Sequence, residues 1–208
     1  MPSSTFLKLP PGKQEKLLEA ATREFSRRPF SEASINQIIK DAGIPRGSFY
    51  MYFQDKEDLF RYLMKGYVDQ LLSVLEELLI REQGDIFEAL LALYDYVQRK
   101  QDARQLGEIG AMAAIVGCNS GLQKTTILDM VEPGVVLERL KKLINPELLD
   151  LRQEGDLNDI LALLLLVAGP LIYNGVQCRR DEAAQAHLRS VMEILKHGMA
   201  RKSCPAAT

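Results

Sequence analysis

Between Ser34 and Phe53 the chain reads SINQIIKDAGIPRGSFYMYF, and this run admits little besides two short helices around a tight turn. Ile35, Ile38, Ile39 and Ala42 fall at i, i+3, i+4 and i+7, the apolar stripe of one helix. Ser34 ahead of them, with Gln37 three residues on, has the pattern of a capping box. Gly43 supplies the left-handed conformation that closes a helix at little cost. Pro45 suits the first turn of the next helix, where its missing N–H is not needed. That next helix runs from about Pro45 to Phe53. Phe49 and Phe53 face inward with Tyr52 beside them, which leaves Arg46, Gly47, Tyr50 and Met51 outward and Ser48 flanking them.

A helix-turn-helix works because one helix crosses the DNA backbone while the next lays its first residues on base edges in the major groove. The outward residues here suit that task. Gly47 and Ser48 are small enough for close approach. Arg46 is a donor for guanine edges or phosphate. The hydroxyls of Tyr50 and Tyr52 and the ammonium of Lys56 suit phosphate oxygens. Backbone N–H groups at Ser34 and Ile35 open the preceding helix toward a phosphate.

The rest of the chain also reads as helix. Met1–Pro11 has no periodic pattern and is expected to be a loose arm. From Gly12, Leu17, Leu18, Ala21 and Phe25 recur at helical spacing until Arg27-Arg28-Pro29 ends the helix. Asp55, with Asp58 three residues on, caps a long helix reaching about Ile80. Beyond Gly84, helical segments are expected at about 85–104, 105–116, 122–130, 134–144, 157–177 and 182–201. No stretch alternates as an amphipathic strand does. Leu157, Ile160, Leu161, Leu164, Ala168 and Leu171 form one apolar face near the end of the chain. Leu188, Val191, Met192, Leu195 and Met199 form another. Two such helices from each of two chains can build a four-helix bundle.

Composition excludes several classes. The net charge of −2 divides into +3 for residues 1–65 and −5 for the remainder, a basic head on an acidic body. The three cysteines, Cys118, Cys178 and Cys204, form neither a disulfide framework nor a zinc pattern, which fits a reducing cytoplasm. The first residues lack the apolar run of a secretion signal. The longest apolar run, Ile160–Tyr173, is short of the roughly 18–20 residues that span a bilayer. With two histidines, no nucleophile motif and no metal-ligand spacing, an enzyme is not expected, nor a metal or other cofactor.

The words LLEAATREF and SINQIIKDAGIPRGSFYMYFQDKEDLF, from about Leu17 to Leu63, resemble the DNA-binding domain of the TetR family of bacterial transcription regulators. Pro29 before Phe30 departs from the family, which often has glycine there. The resemblance implies an all-α fold of about nine to ten helices. A three-helix DNA-binding domain over 12–58 precedes a helical ligand-binding and dimerisation domain over 59–202. It implies that Arg46, Gly47, Ser48, Tyr50 and Met51 face bases or the groove wall, and that Ser34, Tyr52 and Lys56 hold phosphates. It implies a homodimer sealed by Leu161, Leu164, Ala168, Leu188, Val191, Met192, Leu195 and Met199. It also implies a small-molecule cavity, for which Tyr67, Tyr94, Tyr96, Met112, Cys118, Met130 and Tyr173 are candidate liners. The function expected on these grounds is a repressor that an inducer releases from a palindromic operator. The alternatives are a DNA-bound adaptor of the same fold without a small ligand, and an activator.

Overall fold

The computed structural model describes residues 2–102, 107–119, 133–177 and 182–199. Among them are ten α-helices, a 3-10 turn at Pro146–Leu148 and no strand, so the fold is all-α. The helices are α1 (Ser4–Leu7), α2 (Pro11–Phe25), α3 (Ile35–Ala42), α4 (Arg46–Tyr52), α5 (Lys56–Arg81), α6 (Ile86–Asp102), α7 (Gly107–Cys118), α8 (Pro133–Lys141), α9 (Asp156–Gln177) and α10 (Glu182–Met199). The segment expected at about 122–130 lies outside the described residues. None of the described helices is long and apolar enough to cross a membrane.

The described residues divide into two compact units, 2–70 with 107–119, and 71–102 with 133–177 and 182–199. The division expected between residues 58 and 59 falls within α5. Helix α5 runs unbroken through that point, the division between the two units falls inside it after Gln70, and α7 groups with the first unit.

The first unit is built on phenylalanines. Phe6, Phe25, Phe49, Phe53 and Phe60 are each almost wholly buried, with Leu17, Ile38, Met64 and Ile115 among them. Phe25 and Phe60 meet edge-on with centroids 5.0 Å apart, a favoured geometry that adds to simple burial. Asp55 caps α5 as its spacing predicts. Its carboxylate accepts the Asp58 N–H at 2.8 Å, while Asp58 accepts from Gln54 N–H at 3.2 Å. The segment before α2 is not a loose arm. Its Phe6 is fully buried and Ser3 caps α1, accepting from Phe6 N–H at 3.3 Å. A single buried aromatic over so short a helix leaves no period to read, which is why the sequence pattern passed over it.

In the second unit α6 packs against α9 and α10, and α8 against α9. Polar ties cross it, two of them ionic among the described residues. Arg139 of α8 donates in parallel to Glu76, Nε to Oε1 at 2.8 Å and Nη2 to Oε2 at 2.9 Å. Those hydrogen bonds hold the Glu76 carboxyl below its ordinary value against the opposing pull of burial. Lys196 of α10 reaches Asp85 at 3.2 Å and Glu88 at 3.0 Å at the start of α6. Gly84 sits at φ 83°, where an added Cβ would collide with the backbone nitrogen of Asn145. The Asn145 N–H donates to Gly84 O at 3.1 Å, so this close approach requires glycine.

Candidate nucleic-acid interface

The turn between α3 and α4 forms as its residues dictate. Gly43 takes φ 66°, and Ile44 N–H donates back to Ile39 O at 3.0 Å. Pro45 is extended, at φ −64° and ψ 148°, so it is the residue before α4 and Arg46 is the first inside. Ile38 and Ala42 are buried and Ile35 and Ile39 pack partly against the same core, which fixes α3 by its apolar stripe.

The expected capping box at Ser34 is absent. The Ser34 side chain makes no cap hydrogen bond, and Gln37 donates instead to Asp41 at 2.8 Å. The buried carboxylate of Glu24, from α2, accepts the Ser34 N–H at 2.9 Å and lies 4.0 Å from Arg28 Nε. An anion at the start of α3 is favourable, and this chain supplies its own. Ser34→Ala is therefore expected to leave stability within about 0.5 kcal/mol in a denaturant titration, whereas loss of a working cap costs about 1 kcal/mol.

Helix α4 divides cleanly into two faces. Phe49 and Phe53 are buried at 0% and 1% exposure, while Tyr50 and Met51 are 48% and 60% exposed. Arg46 and Gly47 are also exposed, and Ser48 and Tyr52 are half-buried. A Cβ on Gly47 would meet no described atom within 4 Å, so the fold itself does not ask for glycine there. Sequence reasoning missed Asn36. Its Oδ1 accepts from Arg46 Nη1 at 2.5 Å, across the turn, and the Arg46 guanidinium lies 5.9 Å from the Tyr50 ring centre. Asn36, Arg46 and Tyr50 thus form one exposed polar group. Beside it, an open cleft of about 460 Å³ is bordered by Arg23, Arg27, Arg28 and Lys40, against the acids Glu24 and Asp41. Excess positive charge of this kind suits a polyanion.

Lys56 is placed differently from the expected phosphate contact. Its Nζ donates to the carbonyls of Phe30 at 2.5 Å, Ala33 at 2.9 Å and Ser31 at 3.4 Å, and it sits 4.6 Å from the Phe30 ring centre. An ammonium has three donors, and the loop ahead of α3 accepts all three. That loop is tied from a second side. Phe30 N–H donates to Asn119 Oδ1 at 2.6 Å, and Cys118 Sγ donates to Ser26 O at 3.0 Å, both from the end of α7.

The other candidate residues are scattered. Tyr67, Met112 and Cys118 belong to the first unit, where the Tyr67 hydroxyl shares a 2.6 Å hydrogen bond with Thr22. Tyr94 and Tyr96 belong to the second, Tyr94 at 2% exposure and Tyr96 half-buried, with Lys100 Nζ 5.5 Å from its ring centre. Met130, and the side chain of Tyr173, lie outside the described residues. The expected dimer stripe needs correction. Leu161, Leu164, Ala168, Leu188 and Met192 are at most 1% exposed because α9 and α10 turn these faces onto each other and onto α6. They have no surface to offer a second chain. Val191, Leu195 and Met199 are half-buried. Among the described residues, the large apolar side chains that these helices expose are instead Leu163, Leu166 and Ile194.

Comparison with known proteins agrees with this geometry. Residues 17–63 match the family model described as bacterial regulatory proteins, tetR family. The HTH-type transcriptional regulator YdgC of Bacillus subtilis (strain 168) is 36% identical over 102 residues, 47% of this chain and 52% of YdgC. The chain thus spans about half the length of that relative, and 37% of a second, YvdT. Among solved structures, the fatty acid degradation regulator FadR from Bacillus halodurans is alike with a TM-score of 0.60 at 20% identity, over 92% of this chain and 98% of that one. GusR of Salmonella enterica is alike with a TM-score of 0.62 at 18% identity, over the same shares. At these identities the likeness is one of fold.

Proposed function

We propose that this chain, a member of the TetR family of bacterial transcriptional regulators, is a homodimeric repressor of the cytoplasm, released from a two-fold operator by a small molecule. The observation that carries the reading is the two-faced α4. Its aromatic side is sealed in the core, and its other side offers Arg46, Gly47, Tyr50 and Met51 to a groove. In this reading Ser48 flanks that face along the groove wall, Ser34 and Tyr52 meet backbone phosphates, and Lys56 lies behind them.

A dimer is supported by what α9 and α10 leave uncovered. Leu166 is 62% exposed, Ile194 68% and Leu163 39%. A two-fold operator presents its half-sites about 34 Å apart, one turn of DNA, and so calls for two copies of α4. Leu166→Glu and Ile194→Glu are each expected to weaken the dimer by at least about tenfold, since a buried unpaired charge is strongly disfavoured. Sedimentation checks this, and footprinting on a selected duplex reads the DNA arm. Wild-type protein that sediments as a monomer while protecting a two-fold site would overturn the dimer.

The inducer is the finer part of the proposal. By linkage, operator and inducer must weaken each other's binding by the same factor. The sealed packing of Tyr67 and Tyr94 favours a second reading, a DNA-bound adaptor without a small ligand. Metabolite extracts that shift the operator titration would support the repressor, and indifference to every extract would support the adaptor. A reporter on the target promoter separates repression from activation.

A further inference from the structure

Helix α4 has only seven residues, so a large share of its carbonyls fall in the last turn, where helices lack internal partners. Phe53 N–H serves Phe49 O at 2.9 Å. The carbonyls of Met51 and Tyr52 are met from elsewhere by one residue. Ser3 Oγ donates to Met51 O at 2.5 Å, and Ser3 N–H donates to Tyr52 O at 2.9 Å. The same Oγ accepts from Phe6 N–H at 3.3 Å, so the residue that closes α4 also opens α1. Three residues on, the buried Phe6 ring lies 4.8 Å from Phe53, 5.5 Å from Tyr62 and 6.1 Å from Tyr52, centre to centre. The far end of α1 is held by Gln14, whose amide donates to Leu9 O at 2.9 Å and Leu7 O at 3.4 Å.

This arrangement answers a mechanical problem. Phe49 and Phe53 are four residues apart and lie along one line of the helix surface. Two anchors on a line leave a short helix free to roll about that line. Ser3 grips the backbone at the C-terminal end, away from that line, and Phe6 wedges beneath it. Met51 is held by its carbonyl while its side chain points outward at 60% exposure. Small losses of rigidity behind a recognition surface cost specificity before they cost folding.

We infer that residues 3–9 are a positioning element for α4, with Ser3 and Phe6 setting the roll and tilt at which Arg46, Tyr50 and Met51 meet base edges. This rests on the DNA-reading role of α4 proposed above. The test uses the full chain and two duplexes, one enriched by the wild-type protein from a random-sequence pool and one a shuffled control, at a single salt concentration. Ser3→Ala is expected to lower the ratio of the two affinities by about fivefold, the worth of one hydrogen bond, with the dimer state unchanged and the melting temperature lowered only by the few degrees that loss of one cap costs. Ser3→Thr keeps the hydroxyl and restores the ratio. Phe6→Leu keeps the site apolar and most of it filled, and lowers the ratio as well. An unchanged ratio in both Ser3→Ala and Phe6→Leu overturns the inference. So does a parallel fall on both duplexes, which would assign the segment to stability alone. If the wild-type chain enriches no sequence at all, the DNA-reading role falls and takes this inference with it.

Discussion

Replacing Arg46 with alanine is expected to weaken binding to a selected operator by about ten- to a hundredfold, the range for losing one well-formed base contact. The same change should leave the dimer and the melting temperature essentially intact. Arg46 is the first residue of α4 and is exposed. A cation at a helix N-terminus opposes the helix dipole, so stability gives no reason for its presence. Its 2.5 Å hydrogen bond to Asn36 and its approach to the Tyr50 ring hold the guanidinium in one exposed place. Pre-ordering of that kind lowers the entropy lost on docking. Asn36→Ala should therefore cost less than Arg46→Ala, and the double variant should cost less than their sum. Tyr50→Ala belongs to the same group and should couple to both. Titrating the selected and shuffled duplexes with the parent, the three single variants and their pairwise doubles reads these effects. An Arg46→Ala protein that binds both duplexes as the parent does would remove α4 from base reading.

The pieces of this surface differ in how far the sequence announces them, and the difference follows the range of the interactions. The turn at Gly43 and the two faces of α4 were legible because glycine conformation, proline geometry and helical period are local. The Asp55 cap was legible for the same reason. Ser34 carries the same kind of pattern, yet Glu24, ten residues earlier and on another helix, takes the position at the start of α3. A pattern lists who could cap, not who arrives. Period identified the apolar stripe of α9 and α10 but not its partner. The strongest stripe, through Leu161, Leu164 and Leu188, goes to the chain's own core, and Leu166 and Ile194 stand out only once the core is filled. The limit of the first unit was not legible at all, because α5 crosses it without a linker.

Lys56 is where local reading and structure part most, and it yields the largest effect on stability. If its ammonium clamps the loop ahead of α3, Lys56→Ala leaves three carbonyls without their donor and removes a cation from the Phe30 ring. Hydrogen bonds to a charged group are each worth about 1.5–3 kcal/mol. Solvent and loop relaxation recover part of that here, because Lys56 is only half-buried. A net loss of about 2–4 kcal/mol is expected by denaturant titration. Lys56→Met keeps the stem and should recover only the packing share. Phosphate contact predicts the reverse pattern. A lysine that neutralises one phosphate would leave stability nearly unchanged on removal, weaken binding to every sequence alike and reduce the salt slope by about one. The two accounts are separated by measuring the salt dependence on the folded fraction of Lys56→Ala. Unchanged slope with lowered stability supports the clamp. A flattened slope at full stability would return Lys56 to the DNA backbone, and the loop at Phe30–Ala33 would then owe its shape mainly to Asn119.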